Sequence, residues 1–88
     1  GGGQGAGVPS YEVTRAQLIE DGRVTTLLAL CGLCASRGEA RKMVQAGAVM
    51  AGEEKVTDIE ATISEEMIGS EGLLLRKGKK NYCRLVLK

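Results

Sequence analysis

Apolar residues in this chain keep helical spacing up to about residue 46 and then switch to short β-prone runs. Thr14 followed three residues later by Gln17 has the spacing of a capping box, in which side chains satisfy amides left unpaired at a helix start. A short helix over 15–20 is predicted, ended by Asp21 and Gly22. Val24, Leu27, Leu28 and Leu30 then share the face of a strongly apolar helix that should stop near Gly32. Ser36 and Glu39 repeat the box, which predicts a second core helix over 37–46 with Gly47 as its stop. At 100° per residue, Ala40, Met43 and Val44 fall on its buried face. Arg37, Arg41 and Gln45 form a stripe along its flank, with Lys42 just beyond.

Beyond Gly47 the runs 49–51 and 55–56 read as strands joined by a tight turn at Gly52, Glu53 and Glu54. Residues 57–71 are acidic and poorly periodic, a loop with one helical turn near Glu65. Residues 73–76 and 82–87 read as a hairpin whose tip carries Lys77, Gly78, Lys79, Lys80 and Asn81. At the other end, five of the first seven residues are glycine and Pro9 biases its neighbour toward extended backbone, so 1–13 reads as a flexible Gly-rich linker. Disorder is expected over residues 1–8, with ordered structure starting between Pro9 and Thr14. The folded domain is then 14–88, with an α+β fold: two packed helices followed by a small, mostly antiparallel sheet.

Composition narrows the function classes. A domain of roughly 60 to 75 ordered residues is too small to enclose a catalytic cavity easily, which favours a surface function. The sequence has no stretch of about 18 apolar residues and no signal-peptide pattern, so a soluble, cytoplasmic protein is expected, without a membrane partner. Net charge is only +1, but its distribution is uneven: residues 1–35, 36–50, 51–71 and 72–88 carry −1, +2, −6 and +6. Two basic segments flanking an acidic one point to a one-sided basic face, although solvated lysines balanced by carboxylates would give the same numbers. Cys31 and Cys34 have the spacing of a metal or redox pair. With no histidine and only Cys83 besides, a zinc site cannot be completed, so no metal or other cofactor is expected and the thiols read as reduced packing residues.

The run Ala35-Ser36-Arg37-Gly38-Glu39-Ala40-Arg41-Lys42-Met43-Val44, with Gly47, Val49 and Glu54-Lys55-Val56-Thr57-Asp58, resembles the alpha-L or S-four-type RNA-binding motif. The closing run from Leu75 to Tyr82 is similar to the C-terminus of bacterial and organellar tyrosyl-tRNA synthetases, and Val8 to Val13 is similar to the segment joining that enzyme's body to its tail. The resemblance implies an appended domain that grips tRNA(Tyr) near the anticodon stem and long variable arm. The catalytic body, homodimeric in that family, would lie outside this chain. On that basis the candidate RNA contacts are Ser36, Arg37, Arg41, Lys42, Lys55, Lys77, Lys79, Lys80 and Asn81. Tyr11 and Tyr82 are the only aromatics, too few for a base-stacking platform, so recognition through phosphates and shape is expected. Two other readings stay open: the same motif in an rRNA- or ribosome-directed protein, and a protein interaction domain using residues 57–71.

Overall fold

A computed structural model describes residues 9–79 and 81–88. Its elements run β1 (Ser10–Val13), α1 (Arg15–Asp21), α2 (Val24–Leu30), α3 (Arg37–Gln45), β2 (Val49–Ala51), β3 (Glu54–Val56), α4 (Glu65–Ile68), β4 (Leu73–Lys77) and β5 (Asn81–Leu87). The helix starts lie where small hydroxyl residues can cap them. Thr14 Oγ1 accepts the Gln17 amide at 3.1 Å, Ser36 Oγ accepts that of Glu39 at 3.2 Å, and Ser64 Oγ accepts that of Met67 at 3.3 Å. At α3 the Glu39 carboxylate also reaches back, accepting the Ala35 amide one residue before the cap.

The five strands form one sheet in the order β1-β5-β4-β2-β3, antiparallel except for the outer pair. The expected α+β class holds, but the sheet does not simply follow the helices. Ser10–Val13, assigned by sequence to the linker, is extended as expected yet forms an edge strand parallel to β5, with Ser10 opposite Arg84 and Val13 opposite Leu87. Its backbone partners and the burial of Val13, which is 1% exposed, tie it to the domain. The expectation for residues 1–8 lies outside the described residues.

Alternation along the strands turns Val13, Val49, Ala51, Val56, Leu73, Leu75 and Leu85 to one face, where they share a core with Val24, Leu27, Leu28, Ala40 and Val44 of α2 and α3. Ile63 and Ile68 of the acidic segment complete it. That segment is therefore more than a surface loop. The Ile63 amide donates to Gly22 O at 2.7 Å and the Val24 amide to Ala61 O at 2.9 Å, stitching residues 61–63 across the turn between α1 and α2. Gly22 permits the close approach: a Cβ there would sit 2.7 Å from Leu18 O and 3.1 Å from Ile63 O. The single helical turn expected near Glu65 is α4.

Candidate nucleic-acid interface

Helix α3 points Ala40 and Val44 into the core, while its flank presents Arg37 and Arg41 to solvent, with exposed Lys42 farther round. Arg37 and Arg41 line an open cleft of about 270 Å³ together with Arg23, Thr25, Ile59 and Glu60. Three elements meet there: the start of α2, the exposed flank of α3 and the stitched acidic segment. Sequence reading missed Arg23. It sits in a stretch of net negative charge, with no basic neighbour to mark it.

Asp21 does not line this cleft but anchors one of its arginines. Its carboxylate accepts Arg23 Nε at 3.0 Å and Nη2 at 3.2 Å, a two-pronged pair suited to the planar guanidinium. Thr26 Oγ1 donates to the same carboxylate at 2.8 Å, and Arg37 Nη1 lies 3.9 Å from it. The Arg23 fork and the Thr26 hydroxyl hold the Asp21 carboxyl well below the usual carboxylate range. In return Asp21 pushes the Arg23 pKa up, first by its hydrogen bond and then by its charge. Asp21 stays anionic and Arg23 cationic across ordinary pH. The Arg37 side chain is 64% exposed and keeps most of its donors free for a ligand.

The other expected contacts are distributed differently. Ser36 sits at the head of α3, where its oxygen is already committed to the cap. Lys55 lies on β3, and its Nζ would be 3.9 Å from a Cβ on Gly47, so its side chain reaches the end of α3. Lys79 is exposed at the β4–β5 turn, and Asn81 is exposed at the start of β5. This turn is brought toward α3 by the Gly78 amide, which donates to Ala48 O at 2.8 Å. Lys77 is not at the tip. It ends β4, half-buried, paired with Val49 on one side and Asn81 on the other. Lys80 lies outside the described residues. Arg76 and Arg84 alternate to the opposite sheet face, where Arg76 stands directly across from Met50 and Tyr82.

No group of three or more His, Cys, Asp or Glu side chains is placed to hold a metal among the described residues. All three cysteines are free thiols. Burial pushes the Cys34 thiol up, and burial with neighbouring Cys31 pushes that of Cys83 to about 12, which suppresses the reactive thiolate. No helix among the described residues is long and apolar enough to cross a membrane.

Residues 3–85 match the family model described as Tyrosine--tRNA ligase SYY-like C-terminal domain. A tyrosine--tRNA ligase of Clostridium botulinum (strain Loch Maree / Type A3) is 41% identical over 61 residues, covering 69% of this chain and 15% of that protein. The ligase of Clostridium tetani is 32% identical over 80 residues, covering 91% of this chain and 19% of its own. That of Caldanaerobacter subterraneus subsp. tengcongensis is 35% identical over 88 residues, covering 100% of this chain and 21% of its own. The chain thus spans about a fifth or less of the length of these relatives. With a match running through the capped α3 and the closing hairpin alike, the chain belongs to the C-terminal domain family of tyrosine--tRNA ligases.

Proposed function

We propose that this domain is the RNA grip of a cytoplasmic tyrosine--tRNA ligase, holding tRNA(Tyr) near the anticodon stem and long variable arm while a catalytic body elsewhere in the protein performs the ligation. The observation that carries this reading is the pairing of Arg37 and Arg41 in an open cleft along the flank of α3. Planar guanidinium forks match phosphate oxygens, and their positions along one helix suit a backbone that runs past it. Lys42, Lys79 and Lys80 extend the grip, with Ser36, Lys55, Lys77 and Asn81 as flanking contacts. Phosphate contacts give affinity without base preference, so discrimination among tRNAs comes from the shape of the long variable arm.

Each cation that neutralises a phosphate releases condensed counterions, so affinity falls with salt on a log–log slope of roughly 0.7 to 0.9 per contact. Arg37, Arg41, Lys42, Lys79 and Lys80 together imply a slope of about 4. Titrating a tRNA(Tyr) transcript into the protein over a salt series tests this. Arg41→Ala should weaken binding and flatten the slope by about one. A slope near zero, or an Arg41→Ala variant as tight as the parent, would rule out this surface.

A further inference from the structure

The cleft beside α3 contains a cation that the motif does not mark. We propose that Arg23 completes, with Arg37 and Arg41, a seat for one RNA phosphodiester, and that Asp21 is the residue that positions it. The inference rests on the RNA-binding reading above and specifies a part of that surface.

A guanidinium has five N–H donors in a fixed plane. Arg23 spends its Nε donor and one Nη2 donor on Asp21, which fixes the plane and leaves the remaining Nη donors directed away from the carboxylate. Asp21 is itself held, by the Thr26 hydroxyl at 2.8 Å and by the Arg23 amide at 3.3 Å. Thr26 is 7% exposed, so the anchor belongs to the packed part of α2. Behind Arg23, the contacts of Gly22 and Val24 with residues 61–63 fix the backbone on both sides. The same contacts set the wall made by Ile59 and Glu60. Arg23 is therefore organised before any ligand arrives, and the entropy of ordering that long side chain is not lost on binding.

Charge selects the ligand class. Arg23, Arg37 and Arg41 face two carboxylates, those of Asp21 and Glu60, leaving one net positive charge at the cleft. A backbone phosphodiester carries one negative charge and two free oxygens, which suits this seat. Glu60, whose charge acts on Arg23, opposes any phosphate and limits how tightly the seat holds its ligand.

Asp21 can be tested by the sign of its effect. Were it only a charge near RNA, removing that charge would tighten binding. As a positioning residue, its loss must weaken binding. The experiment measures fluorescence anisotropy of a labelled tRNA transcript with a long variable arm against the 88-residue chain and its variants over a salt series, with thermal melts of each variant. Arg23→Gln should lower affinity about five- to tenfold and flatten the log–log slope by roughly 0.7 to 0.9. Arg23→Lys should retain the slope yet still bind about threefold more weakly, because an ammonium cannot fork. Asp21→Asn should weaken binding about two- to fivefold despite removing a negative charge, and Glu60→Gln should tighten it. If Asp21→Asn melts below the assay temperature, Arg23→Lys at unchanged melting temperature decides. Arg23 variants equal to the parent, alongside a weakened Arg41→Ala, would overturn the seat and leave the RNA-binding surface standing. An Asp21→Asn variant tighter than the parent would overturn the positioning role. An unchanged Arg41→Ala, or no binding by the parent at low salt, would overturn the surface and the seat together.

Discussion

Two glycine-to-alanine substitutions, placed 16 positions apart, should shift stability in opposite directions. At Gly22 a methyl group would meet Leu18 O at 2.7 Å and Ile63 O at 3.1 Å. Both obstacles are backbone atoms, so neither can rotate aside. Relief requires moving the end of α1 away from residue 63, which loosens the 2.7 Å hydrogen bond from the Ile63 amide to Gly22 O. Overpacking of this kind costs about 1–3 kcal/mol. For a domain of 60–100 residues 1 kcal/mol corresponds to roughly 4–8 °C, so Gly22→Ala should lower the melting temperature by about 8–16 °C for a 2 kcal/mol loss. At Gly38, inside α3, the added methyl group would meet only Ser36 Oγ at 3.7 Å, an ordinary contact. There alanine removes unfolded-state freedom and improves helix propensity, stabilising by about 0.5–1 kcal/mol. Gly38→Ala should therefore melt roughly 2–8 °C higher. Circular dichroism melts of both variants against the parent make the comparison. Equal melting temperatures for Gly22→Ala and the parent, or a lower one for Gly38→Ala, would refute the packing described at these sites.

Other expectations follow from the same contacts. Because the Asp21 carboxyl titrates below its ordinary value in the folded state, its contribution is complete above the unfolded-state value of 3.8 and fades as pH falls toward the folded-state pKa. Asp21→Asn should thus lower the melting temperature near pH 6, with the gap narrowing below pH 3.8; a gap that widens in acid would contradict the pairing. In native protein Cys34 and Cys83 should alkylate far more slowly than half-buried Cys31 at pH 8, read by mass spectrometry, and equal rates would refute the burial. Replacing Cys31 and Cys34 together by alanine should cost some stability while leaving RNA affinity within about threefold. A chain beginning at Thr14 loses the β1 partner of β5 and the buried Val13, and should melt lower by several degrees; an unchanged melt would return residues 10–13 to the linker.

Local chemistry made much of the fold legible. Thr14 and Ser36 cap where their spacing to Gln17 and Glu39 says they should, and the positive φ of Gly47 and Gly78 marks the helix stop and the hairpin turn. The Arg37 and Arg41 stripe could be read because helix periodicity fixes which residues share a side. What escaped is non-local. The β1 pairing joins residues about 70 positions apart with no turn between them, so no local signal announces it. Arg23 enters the cleft only because residues 61–63 fold back across Gly22, a contact invisible to charge counts along the chain. The lysines flanking Gly78 make Lys77 read as part of the hairpin tip, whereas the ladder continues through it to Asn81.

The parallel pairing of β1 with β5 has a mechanical consequence. A polypeptide joined upstream of Pro9 transmits its pull into β1, while the last strand lies alongside, running the same way over four residue pairs. Tension between the two ends of the domain therefore acts along the strands and loads their hydrogen bonds in shear, all at once, instead of peeling them one by one. The edge strand would thereby act as a clamp against force, with α1, α2 and α3, which lie between β1 and β5 in the chain, outside the path of the load while the clamp holds.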